Sequence, residues 1–113
     1  MNDCIFCQII AKKIQAKFEY ESDSLIAIQD VNPQAPVHLL IIPKKHIARI
    51  SESEGTETSL LGSMILCAKE LAREKQIEDG FRLVLNNGAK AGQSVFHIHL
   101  HLLGGRKMNW PPG

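Results

Sequence analysis

Apolar and polar positions change their period several times along the chain, and each change marks an element. Ile5, Phe6, Ile9 and Ile10 share one face at helical spacing, and Lys12 and Lys13 suit a helix carboxyl end, so residues 5–13 are predicted as a short helix. Residues 17–22 and 24–30 read as two short strands around a tight turn at Ser22, Asp23 and Ser24. Pro33 and Pro36 punctuate a loop. Residues 37–42 are β-branched and apolar on both faces, as an interior strand requires, and Pro43 ends the run. A polar stretch, 51–58, then reads as a surface connection. Beyond it Leu61, Met64, Ile65, Ala68, Leu71 and Ala72 follow the spacing of an amphipathic helix. Glu57 suits its positive end, Arg73 and Lys75 its negative end, and Gly80 is placed to close it. Residues 81–87 alternate as a strand, 88–94 form a glycine-containing loop, and 95–103 form a last strand ended by Gly104 and Gly105. Helix, strands, helix, strands is the order of an α+β domain with a mostly antiparallel sheet.

The chain has 113 residues, enough for one domain (1–113) and one core without disulfide staples. Thirteen basic and twelve acidic residues leave a net charge of +1, too little to predict non-specific binding to nucleic acid or anionic membrane. The longest apolar run, residues 39–42, is far short of a membrane span. Met1, Asn2 and Asp3 show no cationic leader, and three cysteines, two of them close together, suit a reducing compartment. A cytoplasmic protein is the expectation. No repeat or low-complexity segment is present.

The chemistry concentrates in His97-Ile98-His99-Leu100-His101-Leu102-Leu103. On a strand, three histidines at period two emerge on one face while Ile98, Leu100 and Leu102 pack on the other. Rings would stand about 6.6 Å apart along the strand, the outer two about 13 Å. A single ion could then be shared by two of them but not by three, so the row suits a spread-out anion such as a phosphoryl group. One neutral imidazole can attack while a charged neighbour stabilises anions or supplies a proton, and the middle ring, His99, has a partner on each side. The preceding loop, 86–94, is rich in small residues. Its glycines let backbone N–H groups approach an anion, with the Gln93 amide and Ser94 hydroxyl as further donors. No carboxylate cluster for magnesium and no organic cofactor motif accompanies it.

The histidine stretch, with Gly-Gln-Ser-Val-Phe before it and Leu-Gly-Gly-Arg after it, resembles the signature of the histidine-triad (HIT) family. The loop from Asp30 to Pro36, the run 37–47 and the tail to Trp110 are similar to the Hint branch, the purine nucleoside phosphoramidases. The likeness spans about residue 4 to the last. It implies a homodimer with one continuous sheet and a nucleoside 5′-monophosphate site in each protomer. Carried onto this chain, His99 is the nucleophile that forms a nucleotidyl-histidine, His101 touches the phosphate, and His38 is the additional histidine that supports the triad. Asp30 holds the ribose hydroxyls, and Ile28 and Val31 line the base pocket. Asn86, Gly92, Gln93, Ser94 and Val95 contact phosphate and leaving group, and Trp110 lies near the partner's site. Gln29, Asn32 and Asn87 receive no role.

Cys4-Ile5-Phe6-Cys7 has three readings: a redox dithiol, two packing cysteines, or half of a structural zinc site. The first normally follows a strand, which this end of the chain lacks. Bacterial-type members that this chain resembles pair two such cysteines with the histidines matching His46 and His97 around zinc. On that reading His97 anchors the strand and cannot shuttle protons, and catalysis rests on His99 with His101, His38 and Ser94 in support. Cys67 reads as a small hydrophobe. The activity implied is hydrolysis of purine nucleoside phosphoramidates. The alternatives are dinucleoside polyphosphate hydrolysis and a non-catalytic nucleotide-binding regulatory module.

Overall fold

A computed structural model describes residues 3–113; Met1 and Asn2, where the sequence shows no cationic leader, lie outside the described residues. The elements in chain order are α1 (Ile5–Ile10), β1 (Phe18–Glu21), β2 (Leu25–Gln29), β3 (Val37–Pro43), α2 (Thr58–Glu74), β4 (Phe81–Val84) and β5 (Leu100–Gly104). The five strands form one antiparallel sheet in the order β1-β2-β3-β5-β4. The α+β expectation holds. No helix among the described residues is long and apolar enough to cross a membrane.

Alternation along the interior strands divides the side chains between two faces. Leu25, Ala27, Leu39, Ile41, Leu100 and Leu102 face α2, where Met64, Ala68, Leu71 and Ala72 complete the larger core with Ile47, Ile77 and Ile98. Ile26, Ile28, Leu40 and Ile42 face the other way and are covered by Phe6 and Ile9 of α1. A helix of six residues cannot roof that face as a helix of 17 roofs the first. The uncovered remainder is where His38 of β3 and His101 of β5 project, since His38 shares the parity of Leu40, and Leu40 is paired with His101.

Several boundaries differ from the pattern reading. The first helix stops at Ile10, because Lys12 takes a left-handed conformation (φ 62°) and turns the chain toward β1. Pro43 is the last residue of β3 rather than the first beyond it. The connection 51–58 carries two short 3₁₀ turns, Ile50–Glu52 and Gly55–Glu57. There Glu57 is buried, accepts the Glu54 N–H at 2.6 Å and pairs with Lys45 at 2.6 Å. Ile65 lies off the buried stripe of α2 and is 53% exposed. The strand predicted over 81–87 ends at Val84.

Gly80 does not close α2. Gln76 does, at φ 63°, with its N–H on the Arg73 carbonyl (3.1 Å) and the Ile77 N–H on the Ala72 carbonyl (2.9 Å). These two bonds are a Schellman closure with glutamine where glycine is usual, and Ile77 returns to the core as its apolar partner. A side chain in this conformation costs about 1 kcal/mol relative to glycine. Gln76→Gly is therefore expected to raise unfolding stability by about 0.5–1 kcal/mol, read as a higher urea midpoint with an unchanged m-value.

Candidate functional site

The predicted last strand is shorter than its sequence pattern. Residues 95–97 form a bend, 98 and 99 are irregular, and pairing begins only at Leu100. The three histidines therefore do not stand in a straight row. His97 is fully buried and turned toward α1 and His46, whereas the rings of His99 and His101 lie 5.0 Å apart. Ile98, Leu100 and Leu102 do face the opposite core, as alternation requires.

Hydrogen bonds assign the proton positions in this group. His99 Nδ1 lies 2.8 Å from the His97 carbonyl oxygen, which only accepts, so Nδ1 carries the proton and Nε2 keeps its lone pair. The backbone N–H of Gln34 donates to His38 Nδ1 at 3.0 Å, which puts the His38 proton on Nε2. That Nε2–H donates to His101 Nδ1 at 2.9 Å, with the Asp30 carboxylate 3.4 Å away. His101 accordingly holds its own proton on Nε2. A backbone amide thus sets two successive tautomers through one chain of bonds.

Burial pushes the His101 imidazole down to about 4, with the neighbouring His99 and His38 adding to the shift and Asp30 opposing it. Burial likewise lowers His38, again against the pull of Asp30. At neutral pH both rings are uncharged donors. The expected charged neighbour is therefore absent from the resting site, because the sheet face that aligns the rings also strips them of water.

A cavity of about 460 Å³ opens over these rings. Its lining includes Ile28, Asp30, Val31, His38, Asn86, Gly92, Ser94, Val95, His99 and His101, so the structure brings together most of the residues singled out from sequence. Gly92 is left-handed (φ 96°), the conformation for which glycine is suited. Gln93 departs from expectation. Its side-chain carbonyl accepts the Gly88 N–H (2.7 Å), and its NH₂ donates to the carbonyls of Ala48 (2.7 Å) and Val95 (3.1 Å). A buried amide so fully engaged ties the loop together and has no donor left for a phosphate. Trp110 is 81% exposed and lines no part of the cavity of its own protomer. Ile5, Phe6 and Ile9 of α1 form a wall that the sequence reading assigned only to packing, and Gln29, Asn32, Gln34 and Leu40 also line the space. The spacing of Ile5 and Ile9 on one helical face was the available signal; that the face would border a cavity depended on the docking of α1.

Beside the cavity, Cys4, Cys7, His46 and His97 converge with their donor atoms within 4.8 Å of one another. His97 Nδ1 is 3.3 Å from Cys4 Sγ, 3.5 Å from Cys7 Sγ and 3.1 Å from His46 Nδ1, and Cys7 Sγ is 3.4 Å from His46 Nδ1. A tetrahedral ion with usual bond lengths needs edges of about 3.3 Å between nitrogens and about 3.6 Å between nitrogen and sulfur. The four residues fit. His97 Nε2–H donates to the Pro43 carbonyl at 2.7 Å, which frees Nδ1 to face the sulfurs and supplies the outer hydrogen bond typical of a ligating histidine. His97 is therefore set apart from the cavity that His99 and His101 line. Cys67 packs against the α2 core, and burial raises its thiol to about 11.

Comparison with known proteins adds ancestry to this geometry. The HIT domain family model matches residues 11–108. An uncharacterized HIT-like protein of Synechocystis is 54% identical over 112 residues, covering 99% of this chain and 98% of the relative. The crystal structure of a HIT family hydrolase from Legionella pneumophila superposes with a TM-score of 0.96 at 48% identity, covering 98% of this chain and 100% of the other. A histidine triad nucleotide-binding protein from Candida albicans superposes with a TM-score of 0.82 at 29% identity, covering 98% and 85%.

The neutral histidines His38, buried, and His101, half-buried, link stability to pH. His101 and His38 titrate lower in the folded chain than the ordinary value of 6.5, so the unfolded chain takes up protons first as the solution is acidified. The His101 contribution is complete above about pH 6.5 and is lost toward about pH 4, and the His38 contribution declines in the same direction. His101→Asn is expected to flatten the fall of the urea midpoint over that window without abolishing it, since His38 still contributes.

Proposed function

The chain belongs to the HIT domain family, and from that premise we propose that it is a hydrolase of purine nucleoside 5′-phosphoramidates, of the Hint branch. The observation that carries this reading is the state of His99: its Nδ1–H is held by the His97 carbonyl, and its Nε2 lone pair belongs to a ring that lines the cavity. A nucleophile of this kind needs no base to activate it.

The nucleoside occupies the end of the cavity lined by Ile28 and Val31, with Asp30 accepting from the ribose hydroxyls. Asn86, the backbone at Gly92, Ser94 and the His101 Nε2–H surround the phosphoryl oxygens. The His99 Nε2 lone pair forms a bond to phosphorus while the phosphorus–nitrogen bond to the amine breaks. The amine takes up a proton from solvent at the cavity mouth as it departs, since an amide anion is a poor leaving group. Positive charge that develops on the ring is stabilised through Nδ1–H by the His97 carbonyl. Water then attacks phosphorus and gives up a proton to solvent, the bond to Nε2 breaks, and nucleoside monophosphate and the free imidazole result. Two accessible displacements replace one difficult one.

The metal group is read as a structural zinc site formed by Cys4, Cys7, His46 and His97. Four protein ligands close a tetrahedral ion, so what it supplies when bound is a cross-link between α1, the segment after β3 and the approach to β5. The working form is read as a homodimer joined through β4, an edge strand. Arg82 on that strand donates to the Asn109 carbonyl at 2.8 Å, which keeps the tail bearing Trp110 beside the same edge and supports its reach toward a partner's site.

Two experiments test these readings. His99→Ala is expected to lower kcat/KM for an adenosine phosphoramidate by roughly 10⁴-fold while AMP still binds. Wild-type turnover that is much faster on diadenosine polyphosphate than on the phosphoramidate would move the activity to the other hydrolase class. Purified protein is expected to hold about one zinc per chain. Cys4→Ser combined with Cys7→Ser is expected to lose the ion and lower the Tm by several degrees.

A further inference from the structure

The nucleotide cavity and the metal group share one short piece of chain. Cys4 caps α1 and Cys7 lies in its first turn, with the Cys7 N–H donating to Cys4 Sγ at 3.4 Å. Between the two cysteines is Phe6, 6% exposed. Its ring stands edge-on to His97 (centroids 5.9 Å apart, 81° between planes) and edge-on to His99 (5.1 Å, 77°). The same ring lines the cavity, with Ile5 and Ile9 beside it. One aromatic side chain thus touches a residue of the metal group on one side and the nucleophile on the other.

Helices of six residues do not persist alone, so α1 depends on what fastens it. Its fastenings among the described residues include burial of Phe6 and Ile9 on the second sheet face and the convergence of Cys4 and Cys7 with His46 and His97. Met64, Ala68, Leu71 and Ala72 sit in the other core, across the sheet from α1. Loosening α1 would therefore open the cavity wall and leave the α2 side of the molecule intact. It would also take Phe6 and both sulfurs away from the His97 ring, leaving it held by the Pro43 carbonyl and His46, and His97 supplies the carbonyl that holds the His99 tautomer.

We propose that Phe6 is a positioning residue for His99, and that the Cys4–Cys7–His46–His97 group acts through it as the clasp of the nucleotide cavity. Metal occupancy then sets nucleotide affinity and the attack geometry of the nucleophile, in addition to stability. This rests on the phosphoramidase reading for its kinetic part only.

The test uses the full chain, zinc-loaded and stripped by chelator, with AMP as the probe. Removing zinc is expected to weaken AMP binding by about tenfold or more in calorimetry. Hydrogen exchange should accelerate at the amides of residues 5–14 and stay unchanged in α2. In zinc-loaded protein, Phe6→Ala is expected to keep its full metal content yet lose at least about tenfold in kcat, the penalty of a misplaced nucleophile. Phe6→Tyr, which keeps the ring, should restore most of that loss. Four outcomes overturn the proposal: equal AMP affinity and exchange with and without zinc; loss of α2 protection together with α1; failure of the purified chain to take up zinc; or a zinc-loaded Phe6→Ala enzyme with wild-type kcat. If the zinc-loaded wild type fails to hydrolyse phosphoramidates, the functional reading falls, and the affinity and exchange measurements still decide the clasp.

Discussion

A five-stranded sheet has two faces to keep from water, and this chain has one long helix with which to do it. The 17 residues of α2 close one face over a continuous aliphatic core. On the other, the six residues of α1 reach only as far as Phe6 and Ile9 can extend. The shortfall leaves a concave space floored by strand side chains, and there β3 and β5 carry histidines at positions that their neighbours fill with leucine and isoleucine. Burial on this scale would be unfavourable for imidazoles without partners. Each ring finds one, and among the described residues no buried side-chain nitrogen or oxygen is left without a hydrogen bond.

Those partners also define the chemistry. The His97 carbonyl fixes one tautomer, and the Gln34 amide, through His38, fixes another. The result is an unprotonated nitrogen on His99 and an N–H on His101, facing a common space that the Asp30 carboxylate, 3.4 Å from His38 Nε2, also lines. Partial desolvation keeps His38 and His101 neutral, so the hydrogen-bond donors facing the cavity are oriented in advance of any ligand. Such a site exchanges the long-range pull of cations for fixed direction, which matches a chain whose net charge is only +1.

His97 has two connections of different kinds. Its ring joins the cysteines and His46, and its backbone carbonyl joins His99. Placing both on one residue sets the four-residue Cys–His group directly beside the cavity, with Phe6 in contact with both His97 and His99. The bend at residues 95–97 allows this, because a straight strand would have kept all three rings on one line.

The sequence by itself determined the α+β class, the two-sided character of β3, the amphipathic α2 and the grouping of histidines with a glycine-bearing loop, since each depends on short-range periodicity and on backbone preferences that neighbours enforce. It also pointed to the four metal-group residues, though only through likeness to other chains. It did not reveal that His97 leaves the row, that Gln93 is consumed by its own loop, that Gln76 ends α2 in place of Gly80, or that Phe6 walls the cavity. Apart from the local closure at Gln76, those outcomes were decided by contacts between residues far apart in the chain: His97 with Pro43, Gln93 with Ala48, Phe6 with His99. Periodicity states which side of an element a residue occupies. Which partner waits on that side, and whether a side chain there remains available to a ligand, is set when the sheet brings β3, β5 and α1 together.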